Sequence, residues 1–272
     1  MIVPDLTNQF FAMVTEGVQK AASARDVLVV LVAPAAAEQP EEKQAQLLRR
    51  QRVDGVVYLS GTGSLPAAIH EIARSGPIVL VDEKIPGTGL PAIVAESRKG
   101  ARAVAAHVLE QGHRNVAVIG GPMALWTARQ RLAGYREAFA GAGLDPDAVP
   151  VIAGDYQQES GQRIAAELLA ADPRPTALIC ANDLLAIGAM EHCREVGLRV
   201  PEDVSIVGFD DLPLSRLLTP RLTSVSQPAR EMGYRAAQAL FELLDAGEVG
   251  PVADLPTTVN LRDSVCPPQE ST

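Results

Sequence analysis

Short runs of β-branched and aliphatic residues alternate with helical stretches along almost the whole chain, and this alternation leaves few folds open. The runs fall at residues 1–4, 27–33, 55–59, 78–81, 92–95, 116–119, 151–153, 177–180 and 204–207. They are apolar at successive positions rather than at every second one, the pattern of parallel strands covered on both faces. Between them, Phe11, Val14, Val18 and Ala21 recur at helical spacing behind Asn8, a residue suited to cap a helix. Pro40 suits the first turn of a helix through Leu47 and Leu48. Further helical patterns cover 65–74, 101–111, 128–140, 161–170, 184–196 and 229–244. The alternation comes in two batches with the loop 82–91 between them. An α/β fold of two doubly wound parallel sheets follows.

Composition narrows the class of function. The chain has 272 residues, with 24 Lys and Arg against 33 Asp and Glu, a formal charge of −9. No dense basic stripe is present, so this chain is not expected to bind DNA or an anionic membrane by itself. Cys180, Cys193 and Cys266 are too few and too scattered for a disulfide framework or a zinc cluster, and read as buried free thiols. No metal and no cofactor is expected. The apolar stretch 27–37 resembles the core of an export signal, but an amphipathic helix precedes it, whereas signals open the chain. It is also too short to span a bilayer. It reads as a buried strand, and the protein as cytoplasmic.

In open parallel sheets, ligands bind beyond the carboxyl ends of the strands. Asp5, Asn8, Phe10 and Phe11 follow the first run, and Asp82 and Glu83 follow 78–81. Gly120, Gly121, Trp126, Thr127 and Arg131 follow 116–119, and Asp155 and Tyr156 follow 151–153. Asn182 and Asp183 follow 177–180, and Asp210 and Asp211 follow 204–207. Of only ten aromatic residues, four lie at these strand ends. Flat apolar faces beside carboxylates, amides and an Arg suit a sugar or similar polar ring. Asp and Asn after a strand are also common helix caps, and aromatic residues near helix starts are commonly core. The joint placement therefore carries the reading, not any one position.

Catalytic constellations are poor by comparison. The chain lacks a Gly-x-Ser-x-Gly elbow, a phosphate-binding P-loop and a Gly-x-Gly-x-x-Gly fingerprint. His70, His107, His113 and His192 lie in helices or a turn, away from any Ser, Cys or carboxylate pair at a strand end. Asp210 and Asp211 are adjacent, so their side chains diverge and do not form a paired acid and base. An enzyme is disfavoured.

Several segments carry a family resemblance: residues 3–11 (Val-Pro-Asp-Leu-Thr-Asn-Gln-Phe-Phe), 52–57 (Arg-Val-Asp-Gly-Val-Val) and 112–119 (Gly-His-Arg-Asn-Val-Ala-Val-Ile). To these add 131–135, 180–183 running into 186–189, the long stretch 200–211 (Val-Pro-Glu-Asp-Val-Ser-Ile-Val-Gly-Phe-Asp-Asp), 222–225 and Gln227-Pro228. The chain resembles, over essentially its whole length, the effector-binding core of lactose-repressor-type (LacI/GalR) transcription regulators, a fold shared with periplasmic sugar-binding proteins. Gly112 would stop a helix in the left-handed conformation, and Gly208 would let the backbone approach a ligand closely.

The resemblance implies an N-terminal subdomain of 1–95 plus 227–256 and a C-terminal one of 96–226 plus 257–272. A three-strand hinge would allow closure around an effector in the cleft between them. It implies effector contacts at Phe10, Phe11, Leu125, Thr127, Arg131, Tyr156, Asn182 and Asp210, with Arg131 donating a forked pair of bonds and Tyr156 stacking. Phe10 and Phe11 would close over an effector anchored by Arg131 and Asp210. A homodimer is implied through the first helix, residues 42–51 and the segment 212–218, where Leu214, Leu217 and Leu218 are apolar for a loop. Operator DNA would be read only through a helix-turn-helix domain that this chain lacks. Three departures leave the effector's identity open: Asn8-Gln9-Phe10-Phe11 for the usual Asn-Pro-Phe-Phe, Asp82-Glu83 for Asp-Arg, and Ala95-Glu96 for Asp-Asn. The alternative is a solute-binding protein of a sugar transporter.

Overall fold

The computed structural model describes residues 1–33, 53–250 and 252–269. The helix expected around Leu47 and Leu48 and the association segment 42–51 lie outside them. The chain divides into two units: Met1–Ala95 with Ala124–Thr127 and Pro228–Pro256, and Glu96–Met123 with Ala128–Gln227 and Thr257–Thr272.

In the first unit, helix α1 (Gln9–Ser23) starts where Asn8 accepts a bond from the Phe10 N–H at 2.9 Å, a cap worth about 1 kcal/mol. Strands β1 (Val56–Leu59), β2 (Ile78–Val81) and β3 (Ala92–Ile93) pair in parallel in that order, with α2 (Ala67–Ser75) between the first two. Ile2 adds single parallel bridges to Tyr58 and Val32. The core gathers Ile2, Val56, Tyr58, Ile69, Ile78 and Leu80, each fully buried aliphatic side chain contributing roughly 1.5–3 kcal/mol. The last helix of the unit, Ala229–Ala246 (α7 in chain order), lies against α1. A Cβ at Gly17 would sit 1.9 Å from the Arg230 carbonyl oxygen, and one at Gly233 1.9 Å from that of Val14. Only glycine lets these two backbones meet.

The run 27–33 departs from its reading as a buried strand. It joins the sheet through Val32 alone, and Val27, Leu28, Val30 and Leu31 are exposed, Leu28 at 87%. Val30 and Val32 bond to Met1 and Val3, and Val27 donates back to the Ala22 carbonyl at the end of α1. An apolar run at a sheet edge has a partner on one side and need not be covered on both faces.

The second unit is a six-stranded sheet ordered β5-β4-β6-β7-β8-β9, parallel except for its last pair. Its strands are β4 (Val116–Gly120), β5 (Val151–Ala153), β6 (Ala177–Cys180), β7 (Ser205–Asp210), β8 (Thr223–Ser226) and β9 (Thr258–Asn260). Its helices are α3 (Ser97–Glu110), α4 (Trp126–Gly141, whose first two residues group with the first unit), α5 (Gln158–Leu169) and α6 (Asp183–Glu195). Ala117, Ile119, Leu178, Cys180 and Ile206 face Ile164 and Leu168 of α5 and Leu185 and Ala189 of α6. The alternate residues Val116, Val118, Ile179, Val207 and Phe209 face Val104 and Val108 of α3 and Tyr135 and Phe139 of α4. Both sheet faces are dry, which is why these strands are continuously apolar. β8 and β9 have no counterpart among the apolar runs.

Gly112 takes φ +101° after α3, as its place before a strand requires. His113 is buried and structural, bonded to the Thr176 hydroxyl and the Cys266 carbonyl, each at 2.8 Å. Cys180 and Cys193 are buried thiols, but Cys266 is partly exposed, contrary to expectation. Among the described residues no helix is long and apolar enough to cross a membrane.

Candidate functional site

Four of the eight expected contact residues belong to each unit. In the second, they converge at the carboxyl ends of parallel strands. Arg131, one turn into α4, is 3% exposed. It donates to the Ala181 carbonyl at 2.6 Å, and its other terminal nitrogen lies 3.4 Å from Asp210 Oδ1. Its guanidinium sits 4.0 Å from the Phe209 ring centre and 5.7 Å from that of Tyr156. Arg131 therefore pairs across the sheet end rather than with a surface carboxylate on its own helix. The Tyr156 ring presses on Gly121, where a Cβ would lie 2.3 Å from Cζ. Asn182 Oδ1 caps α6 by accepting from the Leu185 N–H at 2.9 Å, and its Nδ2 donates to the Tyr156 carbonyl at 3.2 Å. One side chain thus starts a helix and fixes the loop that presents an aromatic ring.

Asp210 and Asp211 do diverge. Both take positive φ, +104° and +50°, conformations unusual for residues with a Cβ. Asp210 turns to Arg131 and to Gln227, whose Nε2 donates to Oδ1 at 2.7 Å. Asp211 turns the other way and binds Arg216 and Asn260, each at 2.9 Å, and Arg262. Gln227 is 5% exposed, and its Oε1 is buried without a partner among the described residues. An acceptor left so in a closed protein interior is costly, and this one belongs to the amide that binds Asp210. Sequence reading gave Gln227 no role, because β8, which delivers it, carries no apolar run.

Gly208 makes room for a protein side chain. A Cβ there would lie 2.2 Å from Asp183 Oδ1, so the missing side chain makes room for a wholly buried carboxylate. Asp183 accepts from the Leu212 N–H at 2.8 Å and from the Ser215 and Ser224 hydroxyls at 2.5 Å. Burial pushes it up to about 6, against the pull of these three donors. Asp5 and Asp155 follow the blander reading, each folding its side chain onto the backbone N–H two residues on, at 2.7 and 3.0 Å.

In the first unit, Phe10 is buried and meets Phe11 edge to face at 5.5 Å. Phe11 is only partly covered. Leu125 and Thr127 are buried, and the Thr127 hydroxyl donates to Glu83. Glu83 also accepts from the Trp126 N–H at 2.6 Å and the Thr127 N–H at 3.3 Å, so it caps the first turn of α4. Burial, with the Asp82 charge beside it, pushes Glu83 up to about 7 despite these bonds. The adjoining Lys84 lies over the Trp126 ring at 5.1 Å and pairs with Asp254 at 2.9 Å. No group of three metal-ligating side chains occurs among the described residues.

A buried Arg–Asp–Gln cluster with an aromatic wall, set beyond the ends of parallel strands, defines a ligand-binding core of the periplasmic-binding-protein type. The model of the periplasmic binding protein-like domain matches residues 105–265. The HTH-type transcriptional repressor CytR of Escherichia coli K12 is 31% identical over 250 residues, 92% of this chain and 73% of that protein. The ribose operon repressor of Haemophilus influenzae is 29% identical over 242 residues, 89% and 73% of the two. A LacI family transcriptional regulator from Enterococcus faecium with bound ribose superposes with a TM-score of 0.86 at 27% identity, over 98% of both chains. The CelR–cellobiose complex gives 0.86 at 31% identity, over 97% of this chain and 83% of that one. The chain belongs to the LacI family of transcriptional regulators, of which it forms the effector-sensing core.

Proposed function

We propose that this core senses a monosaccharide or a polar ring of similar size, held in the second unit by Arg131, Asp210, Asn182 and Gln227 against the Tyr156 ring. The observation that carries the reading is the buried Arg131–Asp210–Gln227 cluster. Forked donors, a carboxylate and an amide acceptor match the alternating donor and acceptor character of ring hydroxyls. A relative named for ribose and one with ribose bound support the same class, and the CelR–cellobiose complex supports a sugar more broadly. Phe10, Phe11, Leu125 and Thr127 complete the set of effector contacts that family membership suggests.

The two units act as the two-state element. The effector shifts that equilibrium only by its differential affinity for the two states. Operator DNA is then read by a helix-turn-helix domain outside this sequence, in the cytoplasm, and no catalysis is involved. The core works as a homodimer. Leu217 is 78% exposed, and Leu214 and Leu28 are exposed too, apolar surface that association would cover.

A thermal-shift screen of sugars and nucleosides tests the ligand class. A hundredfold excess over Kd stabilises by about 2.7 kcal/mol. A shift with a peptide or a lipid, and none with any polar ring, would refute it.

A further inference from the structure

Asp210 needs its backbone held. It ends β7 at φ +104° and is followed by Asp211 at φ +50° and by the 3₁₀ turn Pro213–Arg216. Two successive left-handed residues with side chains do not persist unless the surroundings fix them. The two peptide N–H groups that follow Asp210 both lead to Asp183, one directly and one through Ser224. Asp183, at the start of α6, accepts the Leu212 N–H directly. It also accepts the Ser224 hydroxyl, whose oxygen in turn accepts the Asp211 N–H at 3.1 Å. The Ser215 hydroxyl ties the following turn to the same carboxylate. Asp183, Ser215 and Ser224 are all fully buried, and Gly208 leaves the space that Asp183 fills. Asp183 thus binds the segment that follows Asp210.

We propose that Asp183 is a positioning residue for effector binding: by fixing the Asp211 and Leu212 peptide groups, it holds the Asp210 carboxylate toward Arg131 and Gln227. This rests on the ligand reading above only for its consequence, since the restraint itself is a property of the free protein. Asp183→Asn keeps size but offers one acceptor oxygen where two are used. Whichever way the amide faces, either the Leu212 N–H or the Ser224 hydroxyl loses its acceptor. Ser224→Ala removes the relay to Asp211 and leaves the Leu212 bond, which gives a second variant with a different fingerprint.

The experiment joins amide hydrogen exchange with calorimetric titration of D-ribose, using the parent, both variants and Leu168→Ala as a core control of similar melting temperature. Exchange should speed up at least tenfold at Leu212 or at Asp211 in Asp183→Asn, according to which way the amide faces, and at Asp211 alone in Ser224→Ala, with β4 and β6 unchanged. D-ribose affinity should fall at least tenfold in both variants and not in the control. Parent-like exchange at 211–212 in Asp183→Asn, or an equal affinity loss in the control, overturns the proposal. If the parent takes up no D-ribose, it is the choice of effector that fails, and the exchange rates alone decide whether Asp183 holds the segment.

Discussion

Glu83 turns a buried carboxylate into a measurable dependence of stability on pH. Its carboxyl rises from the ordinary 4.5 to about 7 because burial and Asp82 disfavour the charge more than the Trp126 and Thr127 donors favour it. Between those two values the folded chain holds a proton that the unfolded chain has released. Stability that is complete below pH 4.5 is therefore lost as pH rises through 7. At about 1.4 kcal/mol for each unit of pH, the loss comes to about 3 kcal/mol. Asp183 adds a similar slope lower down, between 3.8 and about 6, so the comparison must isolate Glu83. Glu83→Gln does so. It removes the titration, keeps one acceptor for the first turn of α4, and gives up a charged cap worth about 1–2 kcal/mol at a helix N-terminus. Urea unfolding at pH 5, 6, 7 and 8, followed by the fluorescence of the sole tryptophan, Trp126, and by circular dichroism, measures both chains. The parent should lose about 2.5 kcal/mol relative to the variant across this range, and the variant should equal or exceed it by about 1 kcal/mol at pH 8. Equal slopes in the two chains would show that Glu83 titrates as an ordinary carboxylate and would refute the reasoning.

Three further outcomes are expected. Arg131→Ala removes charge-assisted bonds worth about 1.5–3 kcal/mol, so calorimetry with the identified effector should show a ten- to hundredfold loss; parent-like binding would mean the site is elsewhere. Gly121→Ala places a methyl 2.3 Å from Tyr156 Cζ. It should displace that ring and weaken the same binding, at a cost of about 1–3 kcal/mol in melting measurements; unchanged affinity would remove Tyr156 from the site. Leu217→Asp charges an exposed apolar position and should shift the particle toward monomer in light scattering at micromolar concentration; a parent already monomeric at that concentration would count against the homodimer.

What could be read in advance followed from local patterns, and what could not followed from long-range bonds. The central strands were legible because both of their faces are dry, which leaves no polar position to interrupt the run. Asn8 and Asn182 were legible as caps because a cap answers to the next two or three residues. β8 was hidden. Its Thr-Ser-Val-Ser reads as polar, yet Thr223 and Ser224 are wholly buried, and their hydroxyls and N–H groups are satisfied by Arg262, Ser264, Asp183 and Asp211. A buried strand can be polar when partners 13 to 41 residues away supply the bonds, and sequence spacing carries no sign of them. The omission spread to Gln227, which matters only because a strand ends beside it. Glu83 was hidden for the same reason, since its partners Trp126 and Thr127 lie on another element. The apolar run 27–33 errs the other way: hydrophobicity told its strand-like nature but not its place at an edge. Asp183 joins both lessons. It lies beside Asn182 in a recognisable motif, but a carboxylate buried at the start of α6 acquires its role only when Leu212, Ser215 and Ser224 fold back onto it. The exchange rates of Asp211 and Leu212 therefore probe the part of this site that local patterns could not reveal.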